Sequence, residues 1–133
     1  MPFQNARLPQ DMHWNYRLRA HGWSNALFTS AGASATSDGT PTAPAAGIEV
    51  DATSNTISFT LSSDALGDLQ SLSGVKVYVS TWDYDGGFRP LAAMPESSTF
   101  GGGNGATDPL IMDDSAVITL PLADPAKRVD SRH

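Results

Sequence analysis

Apolar and polar residues alternate along four stretches of this chain, and each alternation predicts a strand with one covered face. In the first, Trp14, Tyr16, Leu18 and Ala20 fall on one side and Asn15, Arg17, Arg19 and His21 on the other. Gly22 interrupts that pattern, and Trp23 with the short run Ala26, Leu27, Phe28 reads as a bend followed by a brief continuation. In the second, Ile48 and Val50 lead through DATSN into TISFTLS, where Ile57, Phe59 and Leu61 alternate with Thr56, Ser58 and Thr60. The turn residues between the two halves predict a hairpin. In the third, Val75, Val77 and Val79 oppose Lys76, Tyr78, Ser80 and Trp82, after which acid and glycine break the pattern at Asp83. The fourth is short, Ala116 to Leu120.

Between these stretches the composition changes. Residues 29–46 are almost all small, Thr, Ser, Gly or Pro, which offers no core and predicts an exposed loop. Asp64 to Leu72 has room for one helical turn, and Gly67 within it, with Gly74 just beyond, discourages more. From Phe88 to Met112 three prolines and the cluster GGGNG leave little backbone able to join a ladder. About five strands and almost no helix define the class as all-β, an antiparallel β-sandwich. The strand count is low for a closed sandwich, because the opening dozen residues are irregular where further strands would be expected.

Length and charge narrow the partners. A chain of 133 residues is most economically one domain. A net charge of −6, with eight basic residues scattered along the chain, argues against non-specific binding to nucleic acid or anionic membranes, which need clustered Lys and Arg. No apolar run reaches the roughly 18 residues of a membrane span, and the start, MPFQNARLPQ, lacks a signal-peptide layout. With no cysteine, disulfides, thiolate nucleophiles and cysteine-rich zinc sites are excluded.

The stretches WNYRLRAHGW, GVKVYVSTWDYDGGFRPL, FGGG and DPLIMDD, in that order, resemble the C-terminal glucodextranase-like module, one of the DOMON-like β-sandwiches of immunoglobulin-like architecture. The resemblance runs from about Trp14 to Leu122 and divides the chain into an irregular segment 1–12, a β-sandwich module 13–122 and a polar tail 123–133. It implies a non-catalytic module that binds a polysaccharide, α-glucan, and is attached to the catalytic domain of a glycoside hydrolase of glucodextranase, glucoamylase or amylopullulanase type. It also implies a secreted, periplasmic or cell-surface location. The family domain is longer and opens with strands that have no counterpart here, so the chain resembles its C-terminal half and the sandwich is expected to be incomplete. Bare sheet surface and unpaired edges would then favour a homodimer or a strand-donating partner. The alternative is a structural or cell-envelope-association module that recognises no sugar.

The third strand empties into a loop rich in recognition chemistry. Trp82, Tyr84 and Trp23 are candidate carbohydrate-binding platforms, because aromatic rings stack on the apolar faces of pyranose sugars. Asp83, Asp85 and Arg89 would take sugar hydroxyls. Each has a plainer reading: the aromatics as core, with Trp14 and Tyr16 placed there, and Arg89 as a bidentate partner of Asp83 or Asp85 that only shapes the loop. Asp83, Asp85, Asp108, Asp113 and Asp114 form a candidate calcium set of hard oxygen ligands, although the Asp-x-Asp-Gly run lacks the other ligands of an EF-hand and solvated loop acids are the alternative. No catalytic residue is assigned. The carboxylates lie in glycine-rich loops without an apolar pocket to raise one pKa, and His13, His21 and His133 sit in no serine-centred motif. Met12, His13, His21 and Met112 formally permit haem, as in some DOMON-like relatives, but no spacing selects them as axial ligands.

Overall fold

The computed structural model describes residues 1–22, 24–83 and 90–121. Within them run nine short strands: β1 (Tyr16–Ala20), β2 (Asn25–Thr29), β3 (Thr40–Thr42), β4 (Gly47–Asp51), β5 (Thr56–Thr60), β6 (Lys76–Val77), β7 (Ser80–Thr81), β8 (Asp113–Asp114) and β9 (Ile118–Thr119). One 3-10 turn, Asp64–Leu66, is the helical element among these residues. The chain is therefore all-β, and every strand pair is antiparallel. The strands form small sheets: β1-β2-β3, the β4-β5 hairpin, and the pairs β6-β9 and β7-β8.

β2 is the central strand of the three-stranded sheet, and it is covered on both faces. Cross-strand neighbours share a face, so Leu27 lies with Leu18 and Thr42, while Phe28 lies with Arg17 and Pro41. Leu27 is 1% exposed and Phe28 8%. On the Phe28 face the cover is cationic: the Arg19 guanidinium sits 5.2 Å from the phenyl centroid. Two guanidiniums on one face of β1 need a counter-charge, and Asp38 supplies it, its two carboxylate oxygens accepting from Arg17 and Arg19 respectively. Burial holds the Arg17 guanidinium below its ordinary pKa, and the Asp38 charge opposes that shift.

The segment 29–46 is thus more than the exposed loop its composition predicts. Asp38 pins it to β1, and Thr40–Thr42 then adds β3 to the edge of β2. At Gly39, with φ +100°, a Cβ would lie 2.1 Å from the Thr29 carbonyl oxygen, so only glycine allows this close return. The far end is tied by Asn25, whose side-chain amide donates to the Ala46 carbonyl and accepts from its N–H. The opening segment, expected to be irregular, is irregular but packed. Gln4 is 1% exposed, its carbonyl accepts from the Leu110 N–H, and the Phe3 N–H donates to the Ala35 carbonyl.

The β4-β5 hairpin forms where its alternation predicts. The Asp51 carboxylate closes the turn by accepting from the N–H groups of Thr53 and Ser54 and from the Ser54 hydroxyl. Its register places Ile48 opposite Phe59 and Val50 opposite Ile57 on one face. All four are exposed, from 40% to 68%, so this face is bare among the described residues.

The Asp38 fork generates a stability test. Asp38→Ala leaves two partly buried guanidiniums uncompensated and should lower unfolding free energy by about 2 kcal/mol in a denaturant titration. Adding Arg17→Met to that background should recover part of the loss, because it removes one of the stranded charges; no recovery would mean that Asp38 acts through loop geometry alone.

Candidate functional site

The strand from Val75 into Trp82 is paired along its length with the chain's last strand region, but in two pieces. β6 pairs Lys76 with Thr119 and Val77 with Ile118, whereas β7 pairs Ser80 with Asp114 and Thr81 with Asp113. Tyr78 and Val79 therefore face three residues, 115–117, so the opposing strand carries a β-bulge. Ser115 secures it: its N–H donates to the Val79 carbonyl, and its hydroxyl accepts from the Val79 N–H. The ladder continues at both ends, with the Leu120 N–H donating to the Val75 carbonyl and the Met112 N–H to the Thr81 carbonyl. Trp82 follows directly after this last bond.

The valine face of the strand is the more open one. Val77 and Val79 are exposed, while Tyr78, Ser80, Trp82 and Asp83 are half-buried. The Trp82 ring meets His21, at the end of β1, edge to face: the centroids are 5.9 Å apart and the planes at 83°. The His21 N–H donates to the Ser24 carbonyl, which fixes the backbone there. Burial, and then the Arg19 charge, depress the His21 pKa below its usual value, so the ring beside Trp82 is held neutral. Sequence reasoning weighed His21 only for catalysis and haem. Nothing in its spacing reveals a partner 61 positions later in the chain.

Of the six candidate sugar-binding residues, Trp82 and Asp83 are described; Trp23, Tyr84, Asp85 and Arg89 lie outside the described residues. Of the five candidate calcium ligands, Asp85 lies outside them as well. Asp113 and Asp114 sit in β8 beside Thr81 and Ser80, and Asp114 accepts the Tyr78 hydroxyl at 2.8 Å. Asp113 accepts the Asp114 N–H. Asp108 caps its own turn by accepting the Asn104 N–H at 2.6 Å. Among the described residues, no three carboxylate or imidazole side chains gather closely enough to hold a metal ion. Of the haem candidates, His21 packs edge to face with Trp82, while the Met112 side chain is exposed.

A cleft of about 450 Å³ lies apart from Trp82, between the opening segment and residues 33–35, with Trp14 on its wall. Trp14, assigned to the core from its alternation, is half-buried.

Over residues 2–120 the chain matches the family model described as the SLH-like C-terminal binding module of glucodextranase. The chain belongs to this family. The match takes in residues 2–12, ahead of the Trp14 start that the motifs mark out, and the packing of Gln4 against Leu110 agrees with that wider extent. No curated protein and no solved structure matches the chain. A glucodextranase C-terminal module is a binding module rather than a catalytic domain, which fits a non-enzymatic accessory role. Among the described residues, no helix is long and apolar enough to cross a membrane.

The Tyr78–Asp114 bond gives this module a pH signature. Burial, with added effect from the Asp114 carboxylate, pushes the Tyr78 phenol up to about 12 from its ordinary 10. The folded state therefore holds the phenolic proton more tightly than the unfolded state does. That contribution to stability is complete below about pH 10 and is lost as pH rises toward about 12. The melting temperature should fall across that window, and Tyr78→Phe should flatten the part due to this residue. An unchanged alkaline slope in Tyr78→Phe would remove the bond from the account.

Proposed function

We propose that this module binds α-glucan at the strand end around Trp82. It serves as a non-catalytic accessory domain of a glycoside hydrolase of glucodextranase, glucoamylase or amylopullulanase type, secreted or at the cell surface. The observation that carries the reading is the position of Trp82. The ring stands half-buried at the end of a ladder paired with the chain's last strands, with the His21 imidazole packed edge to face with it. A ring so placed stacks on a pyranose face without moving, and Asp83 beside it accepts sugar hydroxyls. Tyr84, Asp85, Arg89 and Trp23 complete the proposed surface. Membership in a family of binding modules supports it.

A second reading has its own observation. The four exposed apolar side chains of the β4-β5 hairpin suit burial against protein, which favours a structural or envelope-associating module, a homodimer or a strand-donating partner. The two readings use different surfaces.

Partly desolvated stacking gives dissociation constants on the order of micromolar to millimolar. Migration in gels containing amylopectin, pullulan or dextran should be retarded. Trp82→Ala should weaken binding by at least about 1 kcal/mol while lowering the melting temperature by no more than about 4 °C. If the wild type is retarded by none of these polymers, or if Trp82→Ala unfolds instead of releasing the glucan, the ring belongs to the core and the structural reading replaces this one. Incubation with the same polymers should release no reducing ends; release abolished by Asp83→Asn or Asp113→Asn would show a hydrolase.

A further inference from the structure

The cleft beside Trp14 has the chemistry of a sugar site, and it shares no lining residue with the strand end at Trp82. Its volume of about 450 Å³ lies within the usual range for small-molecule sites. Small side chains make the room: Ala6 and Ala35 line it where larger ones would fill it. Trp14 supplies one aromatic wall. Gly39 lies close to its ring, where an added Cβ would come 3.4 Å from Cη2, and the side chain is half-buried. A half-buried indole at a cleft wall offers a flat apolar contact at little entropic cost.

Polar groups of both kinds line the same cleft. The Asn5 side-chain amide donates to the Gly105 carbonyl, which orients it and leaves its oxygen as an acceptor. The Ser34 hydroxyl accepts from the Thr36 N–H and keeps its own hydrogen to donate. Arg7 is exposed at the cleft and has no ion pair among the described residues. Its fork of donors matches two adjacent oxygen acceptors, as a pair of vicinal ring hydroxyls presents. The walls are also fixed in place. The Phe3 N–H donates to the Ala35 carbonyl at 2.8 Å and the Leu110 N–H to the Gln4 carbonyl at 2.7 Å, so the opening segment is tied across two loops before any ligand arrives.

We propose that this cleft is a second carbohydrate-binding position, which takes one pyranose unit of the same polysaccharide on Trp14, with Arg7, Asn5 and Ser34 on its hydroxyls. The proposal rests on the carbohydrate-binding reading of the module but not on Trp82. Two separated positions on one chain raise the avidity for a polymer above that for a short oligosaccharide, because the second contact becomes intramolecular.

Titration of the whole chain with maltotriose and with isomaltotriose, followed by backbone and indole N–H chemical shifts, tests it. The expected result is saturable shifts at Asn5, Arg7, Ser34 and the Trp14 indole with either trisaccharide. Arg7→Ala, at an exposed residue, should weaken that response about fivefold or more with the shift pattern of the fold intact, and leave the response at Trp82 unchanged. Trp14→Ala should abolish it. Shifts confined to the Trp82 region, or a response at the cleft indifferent to Arg7→Ala, would overturn the second position while leaving the module a glucan binder. Shifts at the cleft alone would support it and displace Trp82 as the binding face. No shift with either sugar, together with no retardation by the polymers, would sink both.

Discussion

The fork in which Asp38 holds Arg17 and Arg19 is the contact on which the three-stranded sheet depends. Two like charges two residues apart on one strand face repel each other, and neither can be buried over Phe28 without an anion between them. Once Asp38 is there, the segment after β2 must turn back across the sheet. Gly39 permits the turn, and Thr40–Thr42 then meets β2 in register. The same return sets Gly39 against the Trp14 indole, so a charge contact on one face of the sheet also shapes the wall of a cleft beside it.

A similar economy governs the other end of the molecule. The bulge at 115–117 keeps the ladder from Val75 to Thr81 continuous through a change of register, and Trp82 emerges immediately beyond it. His21, directly after β1, meets that ring. The contact links the end of the three-stranded sheet to the end of the β6/β7 strand. Burial, and then the Arg19 charge, lower the pKa of that imidazole, while the Asp38 charge opposes the shift.

The β4-β5 hairpin stands in contrast to both. Two strands alone are marginal in water, and this pair keeps its polar face in solvent together with four apolar side chains on the other. The closing of its turn by Asp51 explains its shape, not the exposure of Ile48, Val50, Ile57 and Phe59. Among the described residues the strands form small separate sheets, and none of them covers this face.

Much of this was legible from alternation alone. β1, β4, β5 and the Val75 strand lie where the period of two puts them, because a strand's side-chain direction is set locally by backbone geometry. The all-β class follows from those strands and from the scarcity of any helical period. The crowding of Trp82 and Asp83 at a strand end was likewise local. Residue pairs distant in the chain were not. β3 was hidden in a stretch of Thr, Pro and Gly, since its partner is β2 and its anchor is a charge pair reaching from Asp38 back to Arg17. Burial of Gln4 with Phe3 exposed reverses what side-chain polarity predicts, because the Gln4 backbone is held by Leu110, far along the chain. Trp14 read as core because alternation reports only which side of a strand a residue occupies. Whether that side is filled or left open as a cleft depends on which distant segments return to cover it, and only the tertiary structure decided that.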